Sequence, residues 1–431
     1  MKLFSLIFFI FFYSNFAFAS NGLIFFLESA YKNNPKIKAE RELLKASKEN
    51  INISRSEFLP SISISGKIDS TQSTKRTDQN GSSLPDASTN TSSNTLSVDQ
   101  KIFEGFGNVN SLKKAQLELK KANFNLKKIE QEIILESASA YFDLIYKTKK
   151  EQFNMQNLEL FERQVESDKS RLQRGEISLT DLAQSESSLA GANANLISAK
   201  TELLTSKTNF EKVIRVSVPE ELKNSNDFII ILPQNLDSAL EISQKNNPKL
   251  KIAELNYEIS KKDVKIERGE LSPSASLNYS LSKSDDFSST VDEVEKESVN
   301  ATVTWPIIKG GQNYSSLKKA KFKKEQSNLL LQDTVNEVQT EITNSWSIFQ
   351  STESVLRSTE AQVIAAEIAN EGITLEYESG NTRTTLEVIQ SRSLLLNARI
   401  TNAKAERDYM VAKFDLLDSI GNLTLNNIKK K

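Results

Sequence analysis

One stretch of this chain is written twice. Asn33-Asn34-Pro35-Lys36-Ile37-Lys38 recurs as Asn246-Asn247-Pro248-Lys249-Leu250-Lys251, a shift of 248 − 35 = 213. The same shift carries Phe58-Leu59-Pro60-Ser61 onto Leu271-Ser272-Pro273-Ser274. Farther along, Gly105 pairs with Gly310 and Gly175 with Gly380, and the shift is 310 − 105 = 205. One Asn-Asn-Pro-Lys match can arise by chance, but a series in register commits the chain to two similar halves. The difference, 213 − 205 = 8 residues, falls in polar connections, a Ser/Thr/Asn-rich one at 71–94 and a shorter, partly acidic one at 282–298.

Each copy has the same order of elements. A short helix leads to Pro35 or Pro248, placed where the first turn of a helix tolerates proline. The amphipathic stretches that follow, 36–57 and 249–270, end before Pro60 and Pro273. Next comes a period of two, the signature of strands: Ile62, Ile64, Gly66, Ile68 in one copy and Ala275, Leu277, Tyr279, Leu281 in the other. Returning strands carry Leu96, Val98, Gln100, Ile102 and Val299, Ala301, Val303, Trp305. Runs of about ten residues suit tilted membrane-spanning strands, although alternation alone also fits a small soluble β-domain. Two hairpins cannot close a barrel, and open edges are not tolerated in lipid. In a membrane, several chains would have to share one sheet.

Long helices follow the strands. Residues 109–172 contain neither Gly nor Pro, and a helix of that length reaches ~96 Å. Leu112, Leu119, Leu126, Ile133 and Ala140 keep a heptad beat, with Ala115, Ala122 and Ile129 three residues behind. After Gly175 the beat resumes as Leu182, Leu189, Leu196, Leu203 and Phe210, beside a second column of Ala183, Ala190, Ile197 and Leu204. The second copy repeats this, with 315–371 free of Gly and Pro and a turn at Gly380. Its return helix has columns Val388, Leu395, Asn402, Tyr409, Leu416 and Ile389, Leu396, Ala403, Met410, Leu417. A sustained heptad implies left-handed coiled-coil packing. Two adjacent apolar columns suit a helix with a neighbour on each side, as in a ring of coiled coils; an ordinary soluble bundle is the alternative.

The first residues read as an export signal: Met1-Lys2, an apolar run from Leu3 to Phe12, and Ala17-Phe18-Ala19 as cleavage site, so the mature chain is expected to begin at Ser20. The composition has no Cys and no His. Thiolate metal sites, disulfides and His-based catalysis are therefore excluded. Gly105-Phe106-Gly107-Asn108 lacks the third Gly and the Lys-Ser/Thr of a phosphate-binding loop. No enzyme motif and no cofactor site is expected. A formal net charge of −1, from 55 basic and 56 acidic residues, argues against nucleic-acid binding. Pro219 and Pro233 bracket a helix-poor connector, and the lysine-ended C-terminus reads as a solvated tail. The expected organisation is a signal peptide at 1–19, a first repeat at 20–216 (β-hairpin about 58–104, helical hairpin about 107–216) and a connector at 217–233. A second repeat at 234–421 (β-hairpin about 271–308, helical hairpin about 311–421) and a tail at 422–431 complete it.

The paired Asn-Asn-Pro starts, the Leu/Phe-x-Pro-Ser strand openings and the junction Trp305-Pro306-Ile307-Ile308-Lys309-Gly310-Gly311 resemble those of the TolC-like outer-membrane efflux proteins. The first-copy junction, Lys101-Ile102-Phe103-Glu104-Gly105-Phe106-Gly107, keeps the first Gly. The resemblance covers nearly all of the mature chain. It implies a mainly α fold with a small transmembrane β part: long coiled-coil hairpins forming an α-barrel, and four strands per chain contributing to a trimeric 12-stranded β-barrel. It further implies a passive exit duct in the outer membrane with a long periplasmic portion. Such a homotrimer would sit in outer-membrane lipid and work with a periplasmic adaptor and an inner-membrane pump of RND, ABC or MFS type, in efflux or type I secretion.

The same resemblance points to the hairpin tips as gate. In Gly175-Glu176-Ile177-Ser178-Leu179-Thr180-Asp181, Asp181 matches the gate-forming acidic position. In the second tip Tyr377 and Arg383 resemble the gate tyrosine and arginine, with Arg383 one residue later after the Gly than usual. The repeat agrees: 380 − 175 = 205 but 387 − 181 = 206, so this turn holds one inserted residue. Glu387 and Gln390 occupy the positions of two constriction aspartates; Glu387 keeps the charge and Gln390 lacks it. The resemblance implies that Arg383 pairs with Asp181 on a neighbouring hairpin, aided by the Tyr377 hydroxyl. The bland alternative is a set of polar side chains at solvated helical turns.

Overall fold

The computed structural model describes residues 22–219, 228–288, 291–379 and 383–430. The expected signal segment, Gly380 and part of the connector lie outside them. In chain order the elements are α1 (Leu23–Asn33), α2 (Pro35–Ser56), β1 (Ser61–Ser73), β2 (Arg76–Thr77), β3 (Ser83–Leu84), β4 (Ala87–Glu104), α3 (Gly107–Gln173) and α4 (Leu179–Ile214). The second half holds β5 (Phe228–Ile230), α5 (Leu236–Asn246), α6 (Pro248–Gly269), β6 (Ser274–Ser288), β7 (Val291–Thr304), α7 (Gln312–Glu378) and α8 (Thr385–Ser419). A 3₁₀ turn, Leu425–Asn427, and β8 (Ile428–Lys430) close the chain.

The twice-written Asn-Asn-Pro motif breaks one helix and starts the next. Asn34 accepts from Lys36 N at 2.9 Å and Asn247 from Leu250 N at 3.1 Å, each followed by the proline that opens α2 or α6. Asn34 also donates to Val213 O at 3.2 Å, and Ser29 to Ile214 O at 3.3 Å, so the break docks α1 on the last carbonyls of α4.

Two compact units emerge, and both repeats contribute to each. The first comprises the described residues up to Lys38, with Ile129–Asn246 and Glu341–Lys431. Its core holds Phe26 against Tyr141 and Phe210, with ring centroids 5.8 and 5.2 Å apart, and Phe414 against Phe142 and Phe228 at 6.0 and 6.2 Å. The expected heptad columns separate by burial on α4: Leu182, Leu196 and Phe210 are buried, while Ala183, Ala190, Ile197 and Leu204 are exposed. On α8 neither column is exposed. On α7 the apolar side chains of Ile348, Val355, Ile364, Ile368 and Leu375 are also exposed.

The C-terminal tail departs from expectation. It pairs as β8 with β5, and Leu423 and Ile428 are buried. Two apolar side chains in that short segment favour docking over a solvated end.

The second unit comprises Ala39–Lys128 and Asn247–Thr340 and is built on a four-stranded antiparallel sheet of order β1-β4-β6-β7. The strands hold 13, 18, 15 and 14 residues, longer than the apolar alternation predicts. Much of the expected polar loops is strand, because Thr and Ser suit a pleated ladder and the backbone bonds need no apolar side chain. Register places Ile62, Val98, Tyr279 and Val299 in one row on one face, and Ile64, Leu96 and Leu281 in the next, where Glu297 ends the apolar stretch on β7. The opposite face carries Ser63, Ser97, Ser280 and Ser298 in one row and Ser65, Thr95 and Ser282 in another. The apolar face is open: Ile64 is 81% and Val303 73% exposed. β1 and β7 each have one edge without a strand partner among the described residues. No described helix is long and apolar enough to cross a membrane.

Gly105 joins sheet to helix in this unit. Its φ is +56°, and a β-carbon there would lie 2.4 Å from Gly269 O, so only glycine permits this approach of α6 to the start of α3.

Candidate functional site

In the first unit α4 and α8 follow the long helices α3 and α7, and the two helix starts are built alike. Ser178 Oγ accepts from Asp181 N at 3.2 Å, while the Asp181 carboxylate accepts from Ser178 N at 3.0 Å and Ser178 Oγ at 2.7 Å. Thr384 and Glu387 repeat this capping box: Thr384 Oγ1 accepts from Glu387 N at 3.3 Å, and Glu387 accepts from Thr384 N at 2.7 Å. Since 384 − 178 = 206, the inserted residue lies before Thr384. Hydrogen bonds from Ser178 hold the Asp181 carboxyl below its ordinary range. The Thr384 backbone N–H, then Arg383, do the same for Glu387.

Arg383 is engaged within its own hairpin. Its Nε donates to Glu376 Oε2 at 2.6 Å and its Nη1 to Glu387 Oε1 at 3.0 Å. Asp181 is not among its partners in the chain; the two residues expected to meet across hairpins each have local bonds instead. Gln390 is exposed on the second turn of α8.

Tyr377 is buried, and its hydroxyl does not reach Asp181. It donates to Asp168 Oδ1 at 3.0 Å, lies 3.1 Å from Thr385 Oγ1 and accepts from Gln164 Nε2 at 3.4 Å. Burial pushes the phenol above its ordinary range. The Arg171 guanidinium lies 4.6 Å from the ring centroid. Asp168 is fully buried, and it also accepts from Ser185 Oγ at 2.5 Å and Gln164 Nε2 at 2.9 Å. One carboxylate thus ties α3, α4 and α7 together. Nearby, Arg392 of α8 donates to Leu160 O at 3.3 Å, and burial pulls its guanidinium below the ordinary range.

Asp168, Ser185, Gln164 and Thr385 are absent from the sequence reading. A signal for Asp168 exists: it stands seven residues after buried Phe161, a carboxylate on an apolar heptad column. The repeat hides it, because position 168 + 205 holds Ile373.

The matrix of tips, coiled helices and two-faced sheet recurs in known proteins. The model of the outer membrane efflux protein family matches residues 26–214 and 239–422. The chain is 26% identical to the outer membrane efflux protein BepC of Brucella suis biovar 1 (strain 1330), over 93% of this chain and 86% of that one. It is 22% identical to the outer membrane protein TolC of Escherichia coli (strain K12), over 94% and 84%. Its fold is similar to the Campylobacter jejuni CmeC outer membrane channel, with a TM-score of 0.80 at 16% identity, covering 93% of this chain and 85% of that one. With the family model spanning most of both repeats, the chain belongs to the outer membrane efflux proteins, which are channel proteins of the outer membrane and not enzymes.

Proposed function

We propose that the chain forms a passive, homotrimeric exit duct, whose strands build a shared 12-stranded barrel and whose helices continue it as a periplasmic tunnel. The observation that carries this reading is the sheet: apolar and open on one face, hydroxyl-rich on the other, with a free strand edge on each side. Such a sheet suits lipid outside, water inside and closure by further copies. The exposed second column of α4 and the exposed apolar side chains of α7 support the same conclusion for the helices. The number three comes from the resemblance. The duct would serve a periplasmic adaptor and an inner-membrane pump, in efflux or type I secretion, and the pump would supply all the energy. The two sequence repeats, at 20–216 and 234–421, remain the proposed domain division.

The tips are proposed as the gate, with Asp181, Arg383, Glu387 and Gln390 on the surface that meets the closing copies and Tyr377 buried behind them. For Arg383 to reach Asp181 of a neighbour it must share or leave Glu376 and Glu387. All are exposed pairs of small net worth, screened by solvent, so such an exchange is nearly balanced and docking of a partner can bias it. Replacing both Asp181 and Arg383 with Ala is expected to raise single-channel conductance in planar bilayers. Unchanged conductance would remove these residues from the gate.

A further inference from the structure

A cavity lies beside β5, apart from the groups at the helix tips. It measures about 570 Å³, within the ~300–1,000 Å³ of small-molecule sites. Phe228, Ile230 and Leu232 of the β5 segment line one side, and Leu356 of α7 with Tyr409 and Met410 of α8 line the other. The β5 side is held in place. It pairs with β8, and the Phe228 ring lies 6.3 Å from Phe142 and 6.2 Å from Phe414. All the lining residues belong to the first unit of one chain, so neither the shared barrel nor the gate is needed for this site.

The charged groups of the cavity are unequally satisfied. Glu406 holds Lys149, and Glu353 nearby holds Arg357 at 2.7 Å. Glu360 is exposed and keeps its hydration. Lys413 is half-buried, and among the described residues no carboxylate lies within ion-pair distance of it. Its ammonium rests 4.0 Å from the centre of the Tyr409 ring and 4.0 Å from Met410 Sδ, both weak partners for a cation. Burial, only partly offset by the charge of Glu353, pulls it below its ordinary range. A desolvated cation of this kind gains from a carboxylate that a ligand brings in. A cationic ligand gains less, since Lys413 already lies over Tyr409 and Lys149 already neutralises Glu406.

The site is also long. Tyr409 stacks on Phe349 with centroids 5.9 Å apart, and Thr359 donates to Asn402 at 3.0 Å, so α7 and α8 run side by side here in opposite directions. Glu360, next to Thr359, therefore sits level with Asn402. Lys413 stands 413 − 402 = 11 residues farther along α8, roughly 16 Å at ~1.5 Å per residue. That length is one leaflet's share of a ~30 Å hydrocarbon core, the reach of one acyl chain. We infer that this cavity binds a single-chain anionic amphiphile, a long-chain carboxylate, with its head on Lys413 and its tail along Met410, Leu356 and Ile230. Glu360 at the far end disfavours the reverse orientation, which would bring two carboxylates together.

Native mass spectrometry of the full chain, released from a neutral detergent, counts bound amphiphiles directly. With dodecanoate as probe, saturation at a single molecule per chain is expected. Dodecanol and dodecyltrimethylammonium are expected to bind about ten-fold more weakly or not at all, because neither supplies the charged hydrogen bond. Lys413→Met, similar in length but uncharged, should raise the half-saturating dodecanoate concentration about ten-fold or more, whereas Lys413→Arg should keep it within about threefold. Leu356→Trp, which fills the middle of the cavity, should abolish binding. Equal uptake of the three amphiphiles, or an unchanged half-saturation in Lys413→Met, would overturn the site. Full binding in Leu356→Trp would put the chain outside the cavity and overturn it as well. Should Leu356→Trp fail to fold, the contrast between Lys413→Met and Lys413→Arg decides alone.

Discussion

At Asp168 a carboxylate with no exposed surface receives hydrogen bonds from Ser185, Tyr377 and Gln164. Donors buried around it have no water to turn to, so deleting the acceptor is worse than never having built the cluster. Asp168→Ala is expected to cost about 1–3 kcal/mol locally through these orphaned groups. Hydrogen exchange of amides in the last turns of α3 and α7 should rise correspondingly. Asp168→Asn, which keeps one acceptor oxygen, should restore most of the protection. Equal exchange in both variants would mean that the cluster contributes only packing. Tyr377 was legible in the sequence as a tip residue but its partner was not, because the acceptor lies on another hairpin and has no copy in the second repeat.

For the elements, the tips carry helix caps that the expected gate residues also form, while the expected Arg383–Asp181 pair is not made within the chain. Ser178 with Asp181 and Thr384 with Glu387 each cap a long helix, and a three-residue spacing is enough to announce that. Both carboxyls are held below their ordinary range, so their contribution is fully present above the unfolded value of about 4 and is lost only as pH falls through the lower folded values. Exchange protection of the first turns of α4 and α8 is therefore expected to stay level from pH 7 to pH 5 and to decline below about pH 4. A decline already at pH 6 would point to other groups. The strand lengths were less legible. Alternation ends where the outer face turns polar, but backbone pairing continues through Ser70–Ser73 and Ala87–Asn90, since a ladder needs only extended residues and a partner.

On the scale of the whole molecule, the two faces of the sheet make opposite predictions for neighbouring residues. Val299 lies on the apolar face beside Tyr279, and Ser298 lies on the hydroxyl face beside Ser280. If the apolar face meets lipid, Val299→Arg puts a charge into hydrocarbon, a cost that reaches about 2–4 kcal/mol at the midplane and falls toward the interfaces, while Ser298→Arg projects into water. The amount of folded protein in the outer-membrane fraction should fall sharply for the first and little for the second. Equal losses would count against the shared barrel.

The order of elements, the heptads and the duplication needed only the sequence, because each depends on residues close together in the chain: a proline after a capping Asn, a glycine at a turn, apolar side chains at intervals of two or seven. What only the tertiary structure decided is which partners meet. Arg383 bonds to Glu376 and Glu387, Tyr377 finds Asp168, one column of α4 stays open while α8 is covered, and the C-terminal segment pairs with β5. Apart from the Arg383 bonds, which span seven and four positions, those outcomes depend on contacts between residues far apart in the chain. Local spacing determines which face a side chain occupies, but only packing determines what lies across from it.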